Sequence, residues 1–155
     1  FAAGKNIDAL GIRIFATYGP GEGHKRDYAS VPYLFARDMV EGKSPTIFGD
    51  GKQVRDFIYV DDVVEGILRL AENCNDHVID LGSGSSYSFN TIVDRINVIL
   101  GTDIKAVHIS KPGGYVEETT ANTGRLLEFY KPKTDMVAGL ERTVKACNEL
   151  SSAQQ

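Results

Sequence analysis

Short apolar stretches alternate along the chain with longer segments in which apolar residues recur every three or four positions. A short apolar run bounded by glycine or proline is typical of a strand, and the longer period is typical of a helix. The short stretches predict strands within residues 9–17, 45–51, 55–60, 77–82 and 104–110. The longer segments predict helices within residues 32–42, 61–71, 88–101, 122–130 and 137–147. This alternation predicts an α/β fold.

Residues with capping or breaking character bound the predicted helices. Pro32 suits the first turn of the first helix, which is expected to end at Gly42. Asp61 or Asp62 is expected to cap the second helix and Ser88 the third, because a short polar side chain can accept a hydrogen bond from a free backbone N–H. The last helix is predicted from an apolar stripe of Val137, Leu140, Val144 and Cys147.

The composition and net charge favour a globular protein and argue against a nucleic-acid-binding or membrane-spanning one. The chain has 155 residues, 42% hydrophobic and 25% charged, which suits one globular unit. A net charge of −4 without a basic run argues against nonspecific nucleic-acid binding. No stretch approaches the roughly 20 apolar residues that cross a bilayer, and the opening residues show no secretory signal. Cys74 and Cys147 are expected to be reduced core thiols, which favours a cytoplasmic protein.

Two glycine-containing segments resemble phosphate-binding motifs only superficially. Gly82 and Gly84 follow a predicted strand, but Tyr87 stands where a dinucleotide-binding loop has its third glycine, so we expect a structural turn. The GKS of residues 42–44 could end a P-loop, but Arg37 occupies the position of its first glycine. The three histidines share no metal-ligand spacing. We therefore predict neither a cofactor loop nor a metal site within this chain.

Four segments follow one another in an order that resembles a known family. They read GIRIFATYGPGE at residues 11–22, PTIFGDGKQVRDFIYVDDVVEGI at 45–67, VIDLGSGSSYSFNTIVDRI at 78–96 and, more loosely, KPGGYVEETTANTGRLLEFYKPK at 111–133. Together they resemble the carboxyl-terminal half of the extended short-chain dehydrogenases/reductases, the NAD-dependent nucleotide-sugar epimerase/dehydratase family. The second segment is the most specific of the four.

The resemblance implies the carboxyl-terminal part of a Rossmann-type fold, arranged as a single unit over residues 1–155. Residues 1–20 would belong to the cofactor-binding sheet, and residues 21–155 mainly to the nucleotide-sugar-binding portion. NAD would be bound mainly by an amino-terminal half that carries the glycine-rich loop and a Tyr-x-x-x-Lys pair. Neither feature occurs here, and residues 1–6 look like the end of a helix. We therefore expect part of a longer, homodimeric protein, inactive without its other half.

The same resemblance assigns the phosphates and the base of the substrate to particular residues. Arg55 would contact the diphosphate, because a guanidinium offers forked donors to phosphate oxygens. A surface ion pair of Arg55 with Asp56 or Asp61 is the structural alternative. Thr46 and Phe48 would line the base pocket, although an apolar strand residue such as Phe48 is often part of the core.

Further substrate-binding residues lie on either side of these. Ala29 and Ser30 would bring backbone close to the phosphates at the start of a helix, where ordinary capping by Ser30 is the alternative. Lys111 stands where the family usually has a second phosphate-binding arginine, and it keeps the charge but not the fork. Ala16 replaces an asparagine that in the family faces the sugar or its phosphate, and a methyl group cannot make that hydrogen bond.

The stretch EGHK at residues 22–25 resembles the ADP-heptose 6-epimerase branch, in which this lysine is a candidate acid or base. A buried lysine can have its pKa lowered enough for such chemistry. Lys25 is thus the candidate catalytic residue, and a solvated charge in the run of residues 25–27 is the alternative. Ala16 counts against this branch.

The function that the resemblance favours is the substrate-binding half of an NAD-dependent epimerase similar to UDP-glucose 4-epimerase. Such an enzyme oxidises a sugar carbon transiently by hydride transfer to bound NAD, rotates or reprotonates the ketose, and returns the hydride. A nucleotide-sugar dehydratase or decarboxylase, or an enzyme like ADP-heptose 6-epimerase, is the alternative within the family. A nonenzymatic nucleotide-sugar-binding module is the alternative from another class, since a fold alone does not fix a function.

Overall fold

The computed structural model describes residues 9–74 and 78–153, which form helices and short strands in alternation. The helices are α1 (Val31–Val40), α2 (Val60–Asn73), α3 (Phe89–Leu100) and α4 (Met136–Ser152). The strands are β1 (Gly11–Ile14), β2 (Ala16–Tyr18), β3 (Thr46–Phe48), β4 (Val54–Tyr59), β5 (Val78–Leu81), β6 (Ser86–Ser88), β7 (Val107–Ile109) and β8 (Glu118–Thr119). The predicted α/β class is confirmed. The helix end expected at residues 1–6 lies outside the described residues.

The strands of the described residues form three small sheets. β1 pairs with β5, and β3 pairs with β7, both in parallel. β4 is the centre of the third sheet, where β2 and β8 run parallel to it and β6 antiparallel. The first half of β4 lies opposite β6 and β8 and its second half lies opposite β2. The residues at the start of β4 are therefore held by chain segments on two sides.

The strand predicted over residues 9–17 is divided between two sheets. β1 continues only to Ile14, and β2 begins at Ala16 beside β4. Phe15 lies between them and donates its backbone N–H to the carbonyl of Leu81, 3.0 Å away. One extended segment thus connects the β1–β5 sheet to the sheet that contains β4.

Two apolar clusters form the core. The larger joins α1, α3 and α4 to β2 and β4, and the smaller packs α2 against β5. On α4 the predicted stripe is buried at Leu140, Val144 and Cys147, whereas Val137 is 38% exposed. Burial raises the pKa of the Cys147 thiol to about 11, so this cysteine is a protonated core residue at neutral pH.

Of the predicted helix caps, the one at Ser88 is confirmed and the one at Asp61 or Asp62 is wrong. Ser88 caps α3 as expected, because its hydroxyl accepts a hydrogen bond from the Thr91 N–H at 3.1 Å. The expectation that Asp61 or Asp62 caps α2 is wrong. That helix begins at Val60, directly after β4, and has no side-chain cap.

Asp62 is used instead for a buried hydrogen-bond cluster. Its carboxylate accepts the Tyr130 hydroxyl at 2.5 Å and the backbone N–H groups of Lys133 and Thr134 at 2.8 and 2.9 Å. Burial by itself would raise the pKa of Asp62, but these hydrogen bonds outweigh it and hold that pKa below its usual value. The cluster fixes the segment before α4 to the start of α2.

The helix predicted within residues 122–130 is also wrong in extent. The structure has only a short 3₁₀ turn there, Leu126–Glu128. The Asn122 side chain accepts the backbone N–H of Gly124 at 3.3 Å, a local bond that favours a turn over a helix start. Leu126 still reaches the smaller apolar cluster, so the segment is packed without being helical.

Candidate functional site

A cleft of about 320 Å³ opens between β2, β4 and the loop that leads into α1. Its lining combines small residues, aromatic rings and charged side chains. They are Ala16, Thr17, Glu22, Lys25, Tyr28, Ala29, Ser30, Val31, Arg55, Phe57, Phe89 and Tyr115. Five of the eight residues predicted from the resemblance therefore meet in one place. The other three, Thr46, Phe48 and Lys111, are not among the residues that line the cleft.

Arg55 lines this cleft, and only some of the N–H groups of its guanidinium form hydrogen bonds with the protein. It donates from Nη1 to the Val54 carbonyl at 2.8 Å and from Nη2 to the Val116 carbonyl at 2.5 Å. These bonds use two of the five N–H groups that a guanidinium carries. Among the described residues no carboxylate pairs with Arg55, so neither Asp56 nor Asp61 forms the alternative ion pair. The arrangement leaves forked donors for an anionic ligand.

Phe48 and Lys111 join the site through Tyr115. The Phe48 and Tyr115 rings are 5.9 Å apart between centroids, and the Lys111 Nζ lies 5.8 Å from the centre of the Tyr115 ring. Lys111 also pairs with Glu117, with Nζ–O distances of 2.7 and 2.8 Å. Phe48 is 39% exposed rather than part of the core. Thr46 is exposed two residues earlier on β3, and side chains two apart on a strand point to one face.

The start of α1, which was predicted to face a phosphate, already binds an anionic side chain of the protein, the Glu22 carboxylate. Ser30 caps α1 by accepting the Tyr33 N–H at 3.4 Å. The buried carboxylate of Glu22 accepts the Ser30 N–H at 2.9 Å, the Ser30 hydroxyl at 2.7 Å and the Gly19 N–H at 3.2 Å. Ala29 lies beside them, buried on the cleft wall. Phosphate binding at Ala29 and Ser30 stays a prediction.

Lys25 lies in the 3₁₀ segment Glu22–Tyr28 and faces the cleft. Its Nζ is 3.2 Å from the Glu22 carboxylate, and its side chain is 44% exposed. Lys25 is thus oriented by a neighbour instead of lying free in a solvated charge run, while its catalytic role stays a prediction.

Ala16 lies on β2, at the floor of the cleft, and pairs with Phe57 of β4. Its methyl group contributes no hydrogen bond to a ligand. Tyr18, two residues further on, is fully buried, and burial raises its pKa above the usual value. Tyr18 therefore supports the strand from within the core, and the position facing the cleft is Ala16.

The turn after β5 is closed by a carboxylate of the chain. Asp56 is fully buried and accepts the N–H groups of Ser83 and Gly84 at 2.7 and 2.9 Å, the Ser83 hydroxyl at 2.7 Å and the Ala121 N–H at 3.1 Å. The N–H groups of a glycine-rich loop would have to be free to bind a phosphate. Here they bind Asp56, which agrees with the structural turn predicted from Tyr87.

Sequence reasoning missed two residues of the site. Glu22 could have been noticed as an acid directly after the GPG turn, three residues before Lys25 and eight before Ser30. Tyr115 had a signal too, since an aromatic residue after the PGG of residues 112–114 follows a predicted turn. Neither signal identifies the partner, because the contacts are made across the fold.

Residues 9–74 and 78–153 contain neither a candidate membrane span nor a candidate metal site. Their helices lack the combination of length and continuous apolar surface that a bilayer crossing requires. Within the same residues, no three histidine, cysteine, aspartate or glutamate side chains are grouped so that they could hold a metal ion.

The family follows from comparison with known sequences. The profile of the NAD dependent epimerase/dehydratase family matches residues 1–82, more than half of the chain. The chain belongs to this family. A curated relative, the UDP-glucuronate 4-epimerase of Thermodesulfobacterium geofontis, is 30% identical over 146 residues, which cover 92% of this chain and 44% of the relative.

Two solved structures of epimerases superpose closely on the chain. The UDP-glucose 4-epimerase of Thermotoga maritima with UDP-glucose has a TM-score of 0.89 at 28% identity, covering 99% of this chain and 49% of that one. A mutant UDP-glucuronic acid 4-epimerase of Bacillus cereus, with UDP-4-deoxy-4-fluoro-glucuronic acid and NAD, has a TM-score of 0.86 at 27% identity, covering 96% and 48%. The chain therefore spans about half the length of the relatives it matches.

Proposed function

We propose that this chain is the nucleotide-sugar-binding half of an NAD-dependent UDP-sugar 4-epimerase. The observation that carries the proposal is Arg55, a guanidinium with unused donors at the wall of a cleft and no carboxylate partner among the described residues. The arrangement suits a diphosphate, whose oxygens accept forked hydrogen bonds. The 4-epimerases among the relatives support uridine as the nucleoside.

The chain's own residues would bind and orient the substrate. Arg55 and Lys111 would hold the diphosphate, with Phe48 beside the base and Ala16 below the sugar. Lys25, oriented by Glu22, would lie on the opposite wall of the cleft and could hold or release a proton near the sugar. NAD, when bound, would take up and return a hydride at the sugar carbon.

The remainder of the enzyme would add to the edge of β1. β1 and β5 form a parallel sheet of two strands, and parallel sheets normally have more strands and are covered on both faces. Ile14 and Val78 in this sheet are 47% and 56% exposed. We propose that residues 1–20 belong to a larger cofactor-binding sheet, continued by an amino-terminal half that binds NAD. Residues 21–155 would then be mainly the substrate-binding portion. The homodimer expected from the resemblance stays a prediction.

The Arg55→Ala variant tests the proposal. We expect it to weaken binding of UDP by about 1.5–3 kcal/mol, the range for a hydrogen bond to a charged group, when the whole protein is titrated by calorimetry. The UDP affinity of Arg55→Lys should lie between that of the unchanged protein and that of Arg55→Ala, because lysine keeps the charge but loses the forked pair of donors. Arg142→Ala is the control, because Arg142 is an exposed cation that pairs with Asp61. Unchanged UDP affinity in Arg55→Ala would reject the proposal.

Ala16 favours a nonenzymatic nucleotide-sugar-binding module as the second candidate. A methyl group in the lining of the cleft would remove a hydrogen bond to the sugar and would leave Arg55 in place for the diphosphate. Incubating the whole protein with NAD and UDP-glucose, and measuring UDP-galactose, separates the candidates. Conversion supports the epimerase, and tight UDP-glucose binding without conversion supports the binding module.

A further inference from the structure

Tyr115 contacts each of the three side chains that the proposed function places around the nucleotide. Its ring centre lies 5.5 Å from the Arg55 guanidinium carbon, 5.8 Å from the Lys111 Nζ and 5.9 Å from the Phe48 ring centre. We propose that Tyr115 is a positioning residue, which sets Arg55 and Lys111 side by side to receive the two phosphates of a nucleoside diphosphate. This inference rests on the proposed function and goes beyond it, because it concerns a residue that the family motifs do not assign.

The guanidinium of Arg55 is bracketed by two rings. Tyr115 lies 5.5 Å from its central carbon and Phe89 lies 5.7 Å from it. A cation within about 6 Å of a ring centre is attracted by the negative face of the ring. The two carbonyl bonds, to Val54 and Val116, fix the guanidinium further. Arg55 is therefore held in one orientation before a ligand arrives, and an immobilised donor loses less entropy on binding.

The chain presents Tyr115 through a turn that its sequence specifies. The backbone N–H of Tyr115 donates to the Pro112 carbonyl at 3.3 Å, which closes a four-residue turn. Gly114 has φ 74°, a left-handed conformation that glycine adopts without strain. Glycine at this position therefore permits the turn that brings the Tyr115 ring over Arg55.

The segment that carries Tyr115 connects β7 to β8, and strand pairing holds it at both ends. β7 pairs with β3 on one side of the turn, and β8 pairs with β4 on the other, so that Arg55 lies opposite Thr119. The Val54 N–H also donates to the Glu117 carbonyl at 2.9 Å. Tyr115 thus lies in a loop held at both ends, and its ring contacts both cations.

The test compares Tyr115→Leu, Tyr115→Phe and the unchanged whole protein for binding of UDP and of uridine. Leucine removes the ring and phenylalanine keeps it. We expect Tyr115→Leu to weaken UDP binding about 5- to 20-fold, with uridine binding unchanged within twofold and Tyr115→Phe close to the unchanged protein. In an Arg55→Ala background, Tyr115→Leu should weaken UDP binding by less than a further twofold, because a residue that acts through Arg55 shows a non-additive effect.

Phe129→Leu is the matched control. Its ring lies 4.9 Å from the Arg125 guanidinium carbon, and it does not line the cleft, so its removal should leave UDP binding unchanged. Equal losses for UDP and uridine in Tyr115→Leu would overturn the inference, since the ring would then contact the base. Unchanged UDP binding, additive losses with Arg55→Ala, or the same loss in Phe129→Leu would overturn it too. If the unchanged protein binds no UDP, the proposed function fails first and this inference with it.

Discussion

Arg55 and Asp56 are neighbours on β4, but the Asp56 carboxylate is buried among hydrogen-bond donors while the Arg55 guanidinium lines a cleft. Asp56 is fully buried and accepts four hydrogen bonds, all from the chain itself. Arg55 lies at the cleft, where two carbonyl groups use only part of its donor capacity. A charge whose partners all come from the chain stabilises the fold, and one with unused donors in a cleft can bind a ligand. The two kinds of charge should therefore respond differently to mutation.

The largest expected effect is the loss of stability on removing the Asp56 carboxylate. Asp56→Ala leaves three backbone N–H groups without an acceptor in the interior, and breaking a buried charged network costs about 3–5 kcal/mol. We expect a loss of that size in the free energy of unfolding, measured by urea denaturation. Arg55→Ala should instead lose UDP affinity and change stability by less than about 1 kcal/mol.

Asp103 is the control for this measurement, because its side chain is 83% exposed and pairs with Lys105 at the surface. Asp103→Ala should change the free energy of unfolding by less than about 0.5 kcal/mol. A loss of under about 1 kcal/mol in Asp56→Ala would contradict the structural role given to Asp56.

The second prediction concerns the pH dependence of stability at Asp62. Its pKa in the folded state is held below the unfolded value of about 3.9. Its contribution is therefore fully present above that value and is lost as the pH falls through the folded-state pKa. We expect Asp62→Asn to cost about 2–3 kcal/mol at pH 7 in urea denaturation, and to differ progressively less from the unchanged protein below pH ~4.

The adjacent Asp61 is a matched control, since it carries the same group but its side chain is 72% exposed. Asp61→Asn should have a small effect at every pH, because exposed ion pairs contribute about 0–1 kcal/mol. If Asp61→Asn and Asp62→Asn gave the same dependence on pH, the buried cluster around Asp62 would not be the cause.

The smallest expected effect comes from a cation at the site that already has a partner. Lys111 pairs with Glu117, so a diphosphate must compete with a carboxylate for it. Glu117→Gln should raise UDP affinity by about twofold to threefold, since exposed ion pairs are weak. Glu118→Gln makes the same change of net charge one residue further on and serves as the control. Equal gains in both variants would mean that net charge alone is responsible.

The sequence predicts most reliably those features that depend on local interactions. Ser88 could be identified as a cap because its partner, Thr91, is three residues away. Asp62 could not be assigned in the same way. Its carboxylate binds groups 68 to 72 residues further along the chain, and these compete successfully with the free N–H groups of α2. The alternation of strands and helices gave the fold class, although the division at Phe15 depends on a partner in β5.

In the candidate site, too, contacts between residues far apart in the sequence could not be predicted. A short, specific motif identified Arg55, and the structure places it in the cleft. The motif could not show which groups hold the guanidinium, because the Val116 carbonyl and the Tyr115 ring reach it from about 60 residues away. Glu22 was missed for a related reason, since its role appears only once Gly19, Lys25 and Ser30 are folded around it.

The hydrogen bonds to Asp56 have a consequence for how the chain is made. Their donors lie 27, 28 and 65 positions further along, so the last of them leaves the ribosome long after Asp56 itself. Residues are added at about 5–20 per second, and contacts between distant positions form late in folding. The middle of β4 therefore consolidates only after Ala121 has been made. A nascent chain stopped before Ala121 would keep that carboxylate one partner short, a substrate for chaperones and proteases.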